Sequence, residues 1–240
     1  MILFRFICFF MVLSGFFFCH AQNPPSGYDV GANLNDFVEG RSDYIRSFKS
    51  GYEGIRGTPN IFEDFHKGNL YFTNKTSMVG IMINYDCYND HILYSDKDHI
   101  YIINGNNIDF FTIERNEGSD NLLFKQVFLE SEKKRIFLQI IYDDRSTLFK
   151  RHKKNFIEAD YTGPYNADRR YDEYKDDQDY YIKLTDGKIR QIKSRKKYIK
   201  EIFGNKATMI LEYIKEENID LKDEHDLIRL AEYYDNNFNK

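Results

Sequence analysis

Residues 70–85 read LYFTNKTSMVGIMINY, and this stretch decides the fold class. Apolar and polar side chains alternate on both sides of a central turn, which is the period of β-strands that bury one face. The first strand places Leu70 and Phe72 on one face, and Asn74 with Lys75 forms the turn. The second strand places four side chains on one face: Val79, Ile81, Ile83 and Tyr85. The pattern predicts a β-hairpin.

The same alternation recurs outward from this hairpin. Short alternating runs separated by polar turns continue to His152, and a small hairpin follows at residues 180–192. Strands at such regular spacing predict an antiparallel meander curled into a roll or open barrel. A composition of 19 Tyr and 21 Phe without Trp favours half-buried sheet surfaces. Strands do not alternate with helices, which argues against a Rossmann-type nucleotide fold.

The tail of the chain has a helical period. Three segments carry apolar residues three and four positions apart, with Ser194 and Asp223 as helix caps and Gly204 as a stop. The expected fold is therefore mainly β, in an α+β arrangement, with a C-terminal helical cap. The expected regions are a signal peptide at 1–21, a loosely ordered lead-in at 22–51, an antiparallel β domain at 52–192 and a C-terminal helical segment at 193–240.

Two stretches inside these regions lack the strand pattern. Residues 43–48 predict a short helix within the lead-in. Residues 155–179 are rich in tyrosine and acidic side chains around Gly163 and Pro164, and they predict a crossing loop.

The N-terminus has the pattern of a secretory signal. Arg5 gives a positive start, residues 7–18 form an apolar run, and small residues at the end of CHA place the cleavage site after Ala21. The mature chain is expected to begin at Gln22, to contain no transmembrane segment and to be secreted or periplasmic. A lipid anchor on Cys19 is disfavoured because Phe18 precedes it, where lipid attachment needs a small residue.

Cysteine content and charge limit the partners. Cleavage leaves Cys87 as the remaining thiol, so stability must come from the core and not from an internal disulfide. The chain has a net charge of −4, and such a surface does not attract phosphate backbones. Nucleic acid is therefore excluded as an expected partner, and an envelope protein or a glycan is expected instead.

Several separated motifs are similar to those of a known family. They are GTPNIFEDF at 57–65, NYDCYND at 84–90, ADYTGPYN at 159–166, and in the tail YY at 180–181, DGK at 186–188, DLI at 226–228 and YY at 233–234. In this order they resemble a family of secreted proteins from Bacteroidetes. The resemblance implies export into a Gram-negative envelope and supplies no catalytic residues. The chain departs from the family at Phe65, where Trp is common, and at Cys87, where a hydrophobic residue is common.

The densest cluster of polar and aromatic residues lies between Asn84 and His91. Carboxylates and amides bind hydroxyl groups while aromatic faces stack on sugar rings, so this cluster is a candidate ligand site. The same residue types also build a wide turn between strands, and we favour that interpretation. The candidate ligand-binding residues, with two tyrosines of the expected crossing loop, are Tyr85, Asp86, Tyr88, Asn89, Asp90, Tyr161 and Tyr165.

Metal and nucleophile chemistry have weaker support. His91 and His99 each follow an aspartate, but no HExxH, His-x-His or Cys pair accompanies them, so no metal and no cofactor is expected. The acidic residues of 171–181 lack the central glycine and final glutamate of an EF-hand, and a solvated acidic loop is expected there. Cys87 near His91 suggests a nucleophile, yet thiolate chemistry needs a lowered pKa and an oriented base.

The sequence favours a non-enzymatic binding or interaction module of the cell envelope. Two alternatives stay open. One is a glycan-acting hydrolase that uses Asp86 and Asp90 as its pair of carboxylates. The other is a small-molecule carrier with a cavity inside the β-roll.

Overall fold

The structure is a computed structural model that describes residues 46–48, 55–96, 99–115, 121–159 and 171–238. The described strands are β1 Arg46–Phe48, β2 His66–Phe72, β3 Ser77–Asp86, β4 His91–Asp96, β5 His99–Ile103, β6 Ile108–Glu114, β7 Asn121–Leu129, β8 Lys134–Asp143, β9 Thr147–Ile157, β10 Glu173–Lys183 and β11 Ile189–Gln191. The described α-helices are α1 Lys196–Phe203, α2 Ala207–Glu216 and α3 Glu224–Phe238.

The strands form one antiparallel sheet in the order β1-β5-β4-β3-β2-β6-β7-β8-β9-β10-β11. The sheet is not closed on itself, and the helices follow it at the C-terminus, which confirms the predicted mainly β, α+β class. The order differs from a simple meander at two points, because β1 pairs with β5 and β6 pairs with β2. Four strand spacings separate β5 from β6 within the sheet, or about 19 Å. The short 3-10 turn Gly105–Asn107 spans much less than that, so the sheet must curl.

Aromatic rings fill the concave side of the curled sheet. The rings of Phe111 and Phe124 stack with centroids 4.7 Å apart, and Phe137 meets Phe111 edge-on at 5.1 Å. Tyr85 packs against both Phe111 and Phe124, at 5.7 Å and 5.4 Å. All four side chains are buried, so this part of the interior is solid.

The helices pack on the far end of the same sheet. Their buried side chains, including Ile199, Ile210 and Leu230, join Leu148 and Ile182 of the strands in a second core. The predicted cap of α3 is confirmed, because the Asp226 amide donates to Asp223 Oδ1 at 3.0 Å. The predicted cap of α1 is wrong, since the cap position is Arg195 and makes no side-chain hydrogen bond.

Asp235 anchors α3 to the β8–β9 turn. Its Oδ2 accepts hydrogen bonds from the amide and the hydroxyl of Ser146, both at 2.9 Å, and from the hydroxyl of Tyr142 at 3.1 Å. Asp235 is buried, and its Oδ2 atom is satisfied by groups of β8 and of the turn that follows it.

The β2–β3 hairpin contains a bulge that the alternation of residue types did not predict. The register between β2 and β3 shifts between Gly68 and Leu70, and Gly80 has a φ of +69°. The Gly80 amide donates to Asn69 Oδ1 at 2.8 Å, which holds the extra residue in place. The prediction that Val79 shares the buried face is therefore wrong, and its side chain is 68% exposed.

Two further predictions of local structure are wrong. Residues 46–48 of the expected helix form β1, which pairs with β5, while residues 43–45 lie outside the described residues. At both described ends of the expected crossing loop the chain is mostly strand, because β9 runs on to Ile157 and β10 begins at Glu173. Its middle, 160–170, lies outside the described residues, as does the predicted signal peptide.

Candidate functional site

The strand β9 leaves its neighbour β8 halfway along its length. Pairing between them ends at Gln139 and Lys150, whereas β9 and β10 stay paired as far as Ile157 and Glu173. We call residues 151–157 and 173–179 the β9–β10 arm. The arm therefore projects beyond the body of the sheet and opens a gap beside β8.

The segment 55–61 spans this gap. At one end Arg56 bonds to β10, donating to the carbonyl of Asp172 and accepting from the amide of Tyr174, both at 2.9 Å. At the other end Ile61 and Pro59 bond to β3, through the Tyr85 carbonyl and the Cys87 amide at 2.8 and 2.9 Å. The segment thus ties β10 to β3 although five strands lie between them in the sheet.

Gly57 permits the close approach of this segment to the arm. Its φ is +73°, in the left-handed region that favours glycine. A Cβ at this position would lie 2.7 Å from the carbonyl oxygen of Tyr174, which no side chain tolerates. The glycine of the GTPNIFEDF motif is therefore required by the backbone contact with β10.

A cavity of about 510 Å³ lies between the arm, the segment and the end of β3, and we call it the arm cavity. This volume is in the range of small-molecule sites. The lining residues are Ile61, Cys87, Lys150, His152, Lys153, Lys154, Asp176, Asp177 and Gln178. Polar and charged side chains dominate the lining, so the cavity suits a polar ligand.

Two lysines bring positive charge to the cavity. Lys150 and Lys154 each lie two residues from His152 along β9. Because side chains alternate along a strand, all three lie on the same face. The Lys154 ammonium contacts Asp176 Oδ1 at 2.5 Å, and the Lys150 ammonium contacts Glu224 of α3 at 2.8 Å. Only 9% of the Lys154 side chain and 18% of the Lys150 side chain are exposed.

His152 is held neutral between these lysines. Burial, together with the charges of Lys150 and Lys154, lowers the pKa of His152 to about 3. Its Nε2 lies 2.6 Å from Oε1 of the buried Gln139. Because that amide oxygen only accepts hydrogen bonds, we assign the proton to Nε2, which makes Nδ1 the acceptor of the ring.

The thiol in the cavity wall is not set up as a nucleophile. Burial raises the pKa of Cys87, and the nearby Lys154 charge offsets only part of this effect. Cys87 Sγ lies 3.5 Å from the carbonyl oxygen of Tyr85, in the position of a weak donor. With a neutral thiol and an imidazole as weakly basic as that of His152, the pair does not supply a thiolate and its base.

The predicted cluster between Asn84 and His91 forms the β3–β4 turn. Asp86 is fully buried, and its carboxylate accepts from the amides of Tyr88 and Asn89 at 3.0 and 2.9 Å and from Asn89 Nδ2 at 2.8 Å. Burial raises the pKa of Asp86, while these hydrogen bonds oppose the rise. The bonds are those of an Asx turn, so they favour the turn interpretation of this cluster.

Tyr85 and Asp90 connect the same turn to β8. The Tyr85 hydroxyl donates to Asp90 Oδ1 at 2.5 Å, and Asp90 Oδ1 also accepts from the amide of Phe137 at 3.3 Å. Phe137 lies in the part of β8 that has no pairing with β9. Asp90 of the turn therefore accepts from a β8 amide at a position where β9 does not pair with β8. Burial raises the pKa of both Tyr85 and Asp90.

The structure brings the described site residues together in the β3–β4 turn. Tyr85, Asp86, Asn89 and Asp90 maintain the turn, and Tyr88 is 39% exposed and contacts Tyr174 edge-on at 5.4 Å. Tyr161 and Tyr165 lie outside the described residues. Of the five predicted residues that the structure describes, none lines the arm cavity.

The solvated acidic loop expected at 171–181 is wrong where it is described. These residues belong mostly to β10, and their carboxylates pair with lysines of β9: Asp177 and Asp179 each contact Lys153 at 2.9 Å.

Among the described residues, no group of three or more His, Cys, Asp or Glu side chains is arranged to hold a metal ion. No helix in the described part of the chain combines the length and apolar character needed to cross a membrane.

Comparison with protein-family models, with curated proteins and with solved structures gives no match. The resemblance to secreted Bacteroidetes proteins therefore stays a prediction, and the function must be argued from the geometry of the arm cavity.

Proposed function

We propose that the protein is an exported, non-enzymatic binding module of the cell envelope, and that the arm cavity binds a small acidic, hydroxylated ligand with the chemistry of an acidic sugar. The observation that carries this proposal is the convergence of two lysine side chains, only 18% and 9% exposed, and a neutral imidazole in a cavity of about 510 Å³.

The cavity offers both kinds of hydrogen-bonding group that such a ligand needs. Each lysine ammonium has three donors and meets one carboxylate, so donors are left for a ligand carboxylate or phosphate. His152 Nδ1 and the Gln178 amide provide acceptors for hydroxyl groups. Charge-assisted hydrogen bonds are strongest where water is partly excluded, as it is around Lys154.

The charge states argue for binding without turnover. The Cys87 thiol is protonated, His152 is a weak base, and the predicted carboxylates Asp86 and Asp90 are engaged in the turn. The hydrolase alternative therefore has no geometric support of its own. It stays a prediction that Asp86→Asn with Asp90→Asn would test on a polysaccharide panel.

The test of the cavity is calorimetric titration with glucuronate, galacturonate and inorganic phosphate, with glucose as the neutral control. We expect saturable binding of an acidic probe that Lys154→Gln weakens about tenfold, the loss of one charge-assisted contact. Lys154→Gln should fold, because its partner Asp176 is 87% exposed and remains hydrated. Lys175→Gln is the matched control, since Lys175 is an exposed lysine of the same arm.

Two results would refute this site. One is equal affinity of an acidic probe for the two lysine variants and the unaltered protein. The other is absence of saturable binding for every acidic probe.

Export has its own test. The protein purified from an envelope fraction should have the intact mass of a chain that begins at Gln22. A mass that includes residues 1–21, in protein recovered from the cytosol, would refute the localisation and leave the cavity proposal standing.

A further inference from the structure

Within the described ranges, no strand lies beside the outer edge of β10 over the middle of the arm. Successive residues of a strand direct their amide and carbonyl groups to opposite edges. The Tyr174 amide donates to Arg56 on the outer edge, and the Tyr180 carbonyl accepts from Ile192 on the same edge. The even-numbered residues between them, Asp176 and Gln178, therefore also direct their backbone groups outward.

The open part of this edge is long enough for a short strand. Six residue steps separate Tyr174 from Tyr180, or about 20 Å of extended chain. Among the described residues no strand pairs with β10 there, since β11 covers only Tyr181 to Lys183 and the bridge to Arg56 lies at Glu173. A row of backbone donors and acceptors is therefore available to an added strand.

Two clefts meet at this edge. Asp177 and Gln178 line both the arm cavity and a second cavity of about 470 Å³, which extends to Tyr180, Ile192 and Leu221. Strand addition uses this arrangement, in which backbone bonds supply affinity and neighbouring clefts receive alternate side chains.

The exposed carboxylates of the β10 edge favour a partner strand with basic side chains. Asp176 is 87% exposed and Asp177 is 41% exposed, and Asp177 Oδ1 accepts from the Gln178 amide at 2.9 Å, covering that donor in the free protein. Such charged edges oppose indiscriminate pairing. Asp177 already pairs with Lys153, whereas Asp176 pairs with Lys154 through Oδ1 and is mostly exposed, so it can also meet a basic side chain of an added strand.

We propose that the outer edge of β10 takes up an extended, lysine- or arginine-bearing segment of a partner protein as an added β-strand. The edge shares Asp176 and Gln178 with the arm cavity, but strand addition uses their outward backbone groups, whereas the cavity proposal uses the side chains of Lys150, His152 and Lys154. Either proposal can fail without the other.

The test uses fluorescence anisotropy with a labelled short peptide of alternating lysine and valine. Gln178→Pro removes the outward amide and leaves the ladder to β9 intact, because prolines are tolerated where the N–H of an edge strand faces outward. We expect Gln178→Pro to weaken the peptide about tenfold, as for the loss of one or two hydrogen bonds, and Gln178→Ala to leave it unchanged. A peptide of alternating glutamate and valine should not bind.

A second measurement needs no variant. In the unaltered protein, the lysine–valine peptide should slow hydrogen exchange of the Asp176 and Gln178 amides. Three results would overturn the proposal: exchange at these amides that the peptide does not change, equal binding of a basic peptide interrupted by proline, or a homodimer of the free protein that Gln178→Pro converts to monomer. The last result would assign the edge to a second copy of the chain.

Discussion

The Lys154 ammonium lies 2.5 Å from Asp176 Oδ1, yet the two side chains differ greatly in exposure, at 9% for Lys154 and 87% for Asp176. Both side chains line the arm cavity, but the lysine is largely covered and the aspartate is largely in solvent. A ligand acid competes with a hydrated carboxylate for this ammonium, and the competition can be measured.

Asp176→Asn should raise the affinity for an acidic probe. The substitution removes the competing carboxylate and leaves Lys154 with its charge unpaired, so calorimetry should show binding that is several-fold tighter. It should also lower the free energy of unfolding by about 1–3 kcal/mol, because a largely buried charge loses its partner. Asp186→Asn is the control, since Asp186 pairs with Arg190 away from the cavity. A weaker affinity in Asp176→Asn would contradict this role of the pair.

His152 should make stability depend on pH. Its pKa of about 3 in the folded protein lies below the unfolded value of 6.5, so the unfolded chain binds the extra proton between these values. Stability is therefore fully present above pH 6.5 and is lost as the pH falls toward 3. One pKa unit corresponds to about 1.4 kcal/mol, so the total loss is on the order of a few kcal/mol.

Urea unfolding at pH 7 and at pH 4.5 measures this effect. The difference in the free energy of unfolding should shrink in His152→Gln and persist in His225→Asn, a change of an exposed histidine on α3. Equal pH dependence in His152→Gln and the unaltered protein would show that another group is responsible.

The Tyr85–Asp90 contact should be important for stability. Tyr85→Phe removes a buried hydroxyl and leaves the Asp90 carboxylate with the Phe137 amide, so we expect a loss of about 1–3 kcal/mol. Asp90 has a φ of +60°, and Asn tolerates this conformation better than Ala does. Asp90→Asn should therefore be milder than Asp90→Ala in urea unfolding. Tyr88→Phe, at an exposed position of the same turn, should change little.

Asp235→Ala should loosen the helical cap. The change leaves the Ser146 amide and hydroxyl and the Tyr142 hydroxyl without their shared acceptor, which predicts a loss of about 2–4 kcal/mol. Hydrogen exchange should report faster exchange in α3 than in β3. Glu232→Ala, at an exposed position of the same helix, is the control. Unchanged exchange in α3 of the Asp235 variant would mean that apolar packing alone holds the helix.

Periodicity predicted the parts of this fold in which apolar side chains alternate. The strands β6 and β7 follow it most closely, whereas β4 and β8 bury three and four consecutive side chains. It failed at Val79, because a bulge adds one residue and the alternation of residue types does not reveal it. Gly80 beside Asn69 was the available signal, since a glycine inside a strand pattern often marks a bulge.

The arm was missed because ion pairs, and not apolar side chains, stabilise it. The sequence KRHKKN on β9 and the sequence YKDDQD on β10 have no apolar period, and both resemble solvated loops. Their register places Lys153 opposite Asp177 and Lys154 opposite Asp176, so the charges oppose each other across the pair. A basic run followed by an acidic run of similar length was the available signal.

The central claim is that ligand binding takes place in the arm cavity and not at the β3–β4 turn. Amide chemical-shift mapping during titration with the tightest acidic probe tests this most directly. We predict that the largest shifts occur at Ile61, Cys87, His152, Lys154 and Gln178. Shifts confined to Asp86, Tyr88 and Asn89, with the arm amides unmoved, would contradict the account.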